Sequence, residues 1–224
     1  MPMLKPRKRI TKKQIKQDKL VTYTFKIVDY IQDHSRQFTF GVVAIIAVLL
    51  IGFIVAKGKK QKELNAAILL GKAQLVYESG DYAGAAHLFE SVIRQYGGTE
   101  NGGRATYFLA NCYFFTGDVD QALKYYEKYV AKYHRLPSLT ASAMAGAAAC
   151  YEQKGEYAEA ARRYEKAATE FRDFYAAPDY LLDAGRCYQA AADTANARKV
   201  YRKIVDLYPE SKSLQQAKLS LAEL

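Results

Sequence analysis

Apolar residues are distributed along this chain in two different ways. From Gln37 to Ala56 there are 20 consecutive residues without a charge, including the unbroken run from Val42 to Ile51. At 1.5 Å per residue that is roughly 30 Å of helix, the thickness of a bilayer core. Lys57, Lys59, Lys60 and Lys62 follow at once. Buried helices of soluble proteins are usually shorter and rarely bracketed by lysines, so the stretch predicts a transmembrane helix. The long basic region before it and the exit through Lys57 and Gly58, with no small-x-small site, predict an uncleaved anchor. No Cys precedes Cys112, so no lipid-modified cysteine is expected beside it.

Beyond the lysines the pattern becomes helical and repeats. Asn111-Cys112-Tyr113 is followed by Gly117-Asp118, Ala149-Cys150-Tyr151 by Gly155-Glu156-Tyr157, and Arg186-Cys187-Tyr188 by Ala192-Asp193, at steps of 38 and 37 residues. An earlier copy without the cysteine reads Val76-Tyr77, then Gly80-Asp81-Tyr82. After each turn an alanine precedes an aromatic by four residues: Ala85 and Phe89, Ala122 and Tyr126, Ala160 and Tyr164, Ala197 and Tyr201. Small residues let two helices approach, and a ring one turn later fills the space beside them. Each copy therefore predicts a helical hairpin, and a period this long predicts a solenoid. A last segment, with Leu214, Ala217, Leu221 and Leu224 near helical spacing, predicts a helix capping the final hairpin.

On these residues the chain resembles the tetratricopeptide-repeat family, whose unit is about 34 residues. Ala73, Ala110, Ala148 and Gly185 fall at the family's first small position. Tyr113, Tyr151 and Tyr188 fall at its first aromatic, with Val76 in that place in the first copy. The closing proline appears only as Pro209, and the longer step implies about one extra turn or longer links. The expected fold is all-α. A basic, amphipathic tail over 1–36 precedes the span over 37–56 and a linker over 57–65. Four repeats follow over 66–211 (66–102, 103–140, 141–177, 178–211), then a capping helix over 212–224. Gly97 to Gly103 is expected to be a flexible link between the first two units.

Charge adds a direction. Residues 1–62 hold 14 Lys and Arg against 3 Asp, whereas residues 63–224 hold 19 against 20 acidic residues. A nucleic-acid-binding core carries its positive charge on the folded surface, which this near-neutral region lacks. The tail divides into a basic stretch (Lys5, Arg7, Lys8, Arg9, Lys12, Lys13, Lys16, Lys19) and an amphipathic one, in which Val21, Phe25, Val28 and Ile31 oppose Lys26, Asp29 and Asp33. It reads as a topology signal, and as a contact for anionic lipid or ribosomal RNA in the functional alternative. Orientation depends on the window counted. Within 20 residues of the span there are 3 basic residues before it and 5 after, which favours the repeats inside. The whole tail carries 10 and sums to +7, which favours the tail inside. Moving such a tail across costs roughly 2.3 kcal/mol per charge per 100 mV, so the tail is expected in the cytoplasm and the repeats outside it.

Catalytic chemistry is not expected. The three cysteines occupy one place in successive units, roughly 10 Å apart in stacked helices, beyond disulfide reach. They read as small buried apolar residues. His34, His87 and His134 are scattered without metal-ligand spacing, and the glycines of 97–103 lack the Lys-Ser/Thr ending of a phosphate loop. No cofactor and no metal are expected.

The family resemblance implies a binding groove lined by the first helix of each hairpin. It places Tyr77, Arg104, Tyr107 and Asn111 there, with Phe114, Phe115 and Arg186. One of the adjacent Phe114 and Phe115 is expected to be buried between hairpins. Leu70 and Gln74 stand where the family's carboxylate clamp has Lys and Asn, which argues against cytosolic chaperone tails. A basic tail, one span and then extracytoplasmic repeats resemble the single-span ancillary subunits of the bacterial protein-export translocon. The repeats also resemble those of periplasmic cell-division coordinators. The resemblance implies an inner-membrane adaptor contacting the translocon, periplasmic chaperones or emerging chains. An accessory subunit of another membrane complex, with the repeats as a docking arm, is the alternative, and a cytoplasm-facing adaptor is a third.

Overall fold

The computed structural model describes residues 19–224; the basic residues from Lys5 to Lys16 lie outside the described residues. These fall into two compact units, divided between Gly58 and Lys59. Among them every regular element is a helix, as the repeating pattern predicts.

The first unit contains α1 (Lys19–Asp33) and the start of α2 (Ser35–Glu78). His34 forms the turn between them, its ring stacked on Tyr30 at 4.5 Å and its Nδ1 3.1 Å from the Tyr30 carbonyl. Phe25 and Val28 of α1 are exposed. So are the apolar side chains from Phe40 to Val55 on α2. One N-terminal helix is thus long and apolar enough to cross a membrane.

The second unit stacks four hairpins: the end of α2 with α3 (Tyr82–Tyr96), α4 (Glu100–Phe115) with α5 (Val119–Tyr133), α6 (Pro137–Gln153) with α7 (Tyr157–Glu170), and α8 (Ala177–Ala190) with α9 (Thr194–Leu207). The helix α10 (Ser213–Glu223) closes the stack, its Ala217, Leu221 and Leu224 packed on the last hairpin's core.

Each hairpin turns by the same device. The chain takes a left-handed residue at Gly80, Gly117, Gly155 and Ala192, with φ of 86, 83, 76 and 60°. In the last three the amide after it donates five residues back, Asp118 to Tyr113, Glu156 to Tyr151 and Asp193 to Tyr188, which satisfies the helix's orphan carbonyls. Asp81, Asp118 and Asp193 then accept from the first turn of the next helix, whereas Glu156 makes no such bond. Ala192 is the one alanine in a glycine's place. A left-handed alanine costs about 1–2 kcal/mol, more than the roughly 0.4–1 kcal/mol by which glycine loosens the unfolded chain. Ala192→Gly should therefore stabilise the fold by about 0.5–1 kcal/mol, read as a higher denaturant midpoint.

Hydrogen bonds between hairpins recur one repeat apart. Tyr133 Oη donates to the Gly97 carbonyl at 2.6 Å and Tyr208 Oη to that of Arg172 at 2.9 Å, each 36 residues back. Tyr113 donates to Glu90 at 2.8 Å and Tyr188 to Glu165 at 2.9 Å. The intervening unit has Lys128 where these have a glutamate, and there Arg163 lies over the Tyr151 ring at 4.3 Å instead.

Two expectations are corrected. Residues 57–65, expected as a linker, are helical within α2: Lys, Gln, Glu and Leu are strong helix formers. Glu63 caps α4 from there, accepting from the amides of Glu100 at 3.0 Å and Asn101 at 2.9 Å. The flexible link expected over Gly97 to Gly103 is mostly the capped start of α4. The Thr99 hydroxyl accepts from the Gly102 amide at 2.9 Å, and Gly102 and Gly103 are buried. The glycines are there because a preceding turn and Tyr133 lie too close for a side chain.

Cys112, Cys150 and Cys187 are free and buried. Burial pushes each thiol up to about 12, so almost no thiolate exists at pH 8. Native chain should resist maleimide until guanidinium is added, when all three should label; mass spectrometry reads the count.

Candidate protein-binding face

The residues that the sequence nominates divide into three situations. Five of them meet through α2 and α4. Tyr77 packs edge-on to Phe108 at 5.5 Å and lies 6.4 Å from Phe115. Phe115 stacks on Tyr82 at 4.7 Å and meets Phe114 at 5.9 Å. Tyr107 stands against Phe108, Tyr126 and Tyr129 at 5.4–6.1 Å. Asn111 joins this group: its Oδ1 accepts from Tyr126 Oη at 2.7 Å. Burial raises the Tyr77 hydroxyl to about 12, and the nearby Asn111 side chain offsets part of the rise.

Arg104 is exposed one turn before Tyr107, and no carboxylate among the described residues pairs with it. Arg186 lies apart on α8. Its guanidinium pairs with Glu152 and, at 3.1 Å, with Asp183. The Glu152 bond raises it above the ordinary guanidinium value, while burial raises the Asp183 carboxyl against Arg186's pull. Arg186 is already satisfied within the fold.

Neither Phe114 nor Phe115 is fully buried, contrary to expectation. Phe115 is 55% exposed, because it ends α4 and has only the rings of Tyr82, Tyr77 and Phe114 against it among the described aromatic contacts. Phe114 packs part-way against the core between the second and third hairpins. Sequence reasoning missed Phe108 and Tyr82, which complete the ring cluster. Tyr82 stood in the quoted turn motif, and Phe108 stacks on the repeat aromatic Phe89 at 5.5 Å.

A cleft of about 390 Å³ opens elsewhere, among Glu127 and Val130 of α5, Met144 of α6 and Arg163 of α7. None of the nominated residues lines it. Arg163 there pairs with Glu159 at 2.7 Å and with Glu127 at 3.1 Å, so these three groups offer a ligand no free charge.

Residues 102–169 and 179–211 match tetratricopeptide-repeat families. Similar solved structures include BtubC (BKLC) from P. vanneervenii, 18% identical with a TM-score of 0.58 over 65% of this chain and 64% of that one. The nearly identical TPR-like repeats of a putative kinesin light chain from Podosopora anserina are 20% identical, with a TM-score of 0.57 over 71% of this chain and 84% of theirs. A tetratricopeptide repeat protein from Parabacteroides merdae is 17% identical, with a TM-score of 0.58 over 70% and 58%. The chain thus spans less than two thirds of the first and third of these, and at such identities they show the fold alone. No curated protein matches it. The chain carries tetratricopeptide repeats, and such a solenoid is a scaffold for protein interactions; nothing shows catalytic activity.

Proposed function

We propose that this chain is a membrane-anchored, non-catalytic adaptor of the bacterial inner membrane. The helix over Gln37–Ala56 holds it there, the tail faces the cytoplasm and anionic headgroups, and the repeats lie in the periplasm. Tyr77, Tyr107 and Phe115, with Arg104 beside them, take an extended or helical segment of a partner protein. The reading is carried by one observation: partly exposed rings gathered beside an unpaired guanidinium, the residue types that dominate interface energetics. The protein-export translocon and periplasmic chaperones are the partners that the order of parts favours.

A photo-crosslinker at Tyr107, followed by a mild-detergent pull-down and mass spectrometry, tests the partner. Translocon subunits or chaperones are expected, and Arg104→Glu should weaken their recovery. Consistent recovery of another membrane complex would replace this partner with the docking-arm alternative. Orientation has its own test. Gly98 is exposed with open space around it, and the native thiols are inert, so Gly98→Cys gives one reactive sulfur. It should react with a membrane-impermeant maleimide in intact spheroplasts. Labelling only after lysis would reverse the topology.

A further inference from the structure

The four hairpins allow each position to be compared with its counterparts in the other units. Ala105, Leu109 and Cys112 of α4 lie fully buried in the core shared with α3, and the same three places in the next unit, Ala143, Ala147 and Cys150, are buried as well. In the last unit Ala184 and Cys187 are again buried. These are the joint positions, covered by the second helix of the preceding hairpin. Their counterparts in the first unit, 37 residues earlier, are Ile68, Lys72 and Leu75. No hairpin precedes this one among the described residues. Ile68 is 54% and Leu75 69% exposed, and Leu64, one turn before Ile68, is 55% exposed.

Solvent-facing positions tolerate polar residues, yet this surface keeps Ile68 where the next two units have alanine and the last has Tyr180, and Leu75 where the later three have cysteine. It interrupts them with a single cation, at a place where the other units have Leu or Ala. No carboxylate among the described residues pairs with Lys72. We infer that the free joint face of the first hairpin, Leu64, Ile68, Lys72 and Leu75, is a second docking surface. Its occupant is an amphipathic helix of a partner protein that takes the place of a preceding hairpin and carries a carboxylate opposite Lys72. Charge selects this occupant over a second copy of the chain. Two such faces paired about a two-fold axis parallel to α2 would set Lys72 near Lys72, with Lys57, Lys59, Lys60 and Lys62 close by in each sequence. The surface is distinct from the ring cluster, and the inference does not rest on that cluster's role.

The test uses the full chain in lipid nanodiscs and two synthetic helices of about 18 residues. Both have leucines at alternating three and four spacing and a photo-reactive leucine; one has a central glutamate and the other a lysine. The glutamate peptide should crosslink within residues 64–75, as mapped by mass spectrometry, with a roughly tenfold preference over the lysine peptide. Lys72→Glu should reverse the preference, and Leu75→Asp should abolish both crosslinks. Leu219→Asp, at an exposed leucine of α10, should change nothing. All four side chains are exposed, so the variants should keep the wild-type circular dichroism. Equal capture of both peptides, or capture that survives Leu75→Asp, would overturn the assignment. So would efficient disulfide pairing between copies carrying Leu75→Cys, which would make the occupant a second copy.

Discussion

Phe89→Ala should destabilise the repeat unit by about 3–5 kcal/mol, the range for deleting a fully buried ring. Phe89 has no exposed surface. It stacks on Phe108 at 5.5 Å and meets Tyr77 edge-on at 6.3 Å, so the cavity opens beneath the rings of the candidate face. Two effects should therefore appear together. The guanidinium midpoint of the detergent-solubilised chain, followed by circular dichroism, should fall markedly, and Tyr77 and Phe108 should lose their fixed positions, seen as faster amide exchange in α2 and α4. His87→Ala, exposed on the same helix, should cost less than about 0.5 kcal/mol. A small effect at Phe89 would mean that the first hairpin is not packed as described.

Gly102→Ala should cost about 2–3 kcal/mol, although alanine favours a helix by about 1 kcal/mol over glycine. Two opposed effects decide the sign. A methyl group at Gly102 would overlap the backbone carbonyl of Tyr96, and that carbonyl, held by the Thr99 amide and hydroxyl, cannot swing aside as a flexible side chain can. Relief would require α4 to move away from α3, breaking the bonds from the Glu100 and Asn101 amides to Glu63 and from the Gly102 amide to Thr99. Gly98→Ala, four residues earlier in open space, is the matched control and should be nearly neutral. The difference in midpoint between the two variants measures the close approach itself.

These two sites also show what the sequence could and could not convey. The hairpins were legible because small residues and rings recur at fixed steps, and a recurrence constrains packing in every unit at once. The glycine run 97–103 was misread because composition does not distinguish a glycine needed for freedom from one needed for closeness. Only the neighbouring Tyr96 carbonyl and Tyr133 ring make that distinction. Glu63 was invisible for a related reason, since a carboxylate that caps a helix 37 residues away has no local signature. For the ring cluster, Tyr77, Tyr107 and Phe115 followed from the repeat register, but Phe108 did not. Arg186 was nominated by register and then found engaged by Glu152 and Asp183, partners that depend on how two hairpins stack.

Among the described residues, the hydrogen bonds between hairpins reach back no more than 38 residues. Such short reach carries little loop-closure entropy and belongs to rapidly folding topologies. A hairpin can therefore dock on its predecessor while the residues after it are still being synthesised. The repeats would gain native structure in the order in which they are made, without waiting for the last helix.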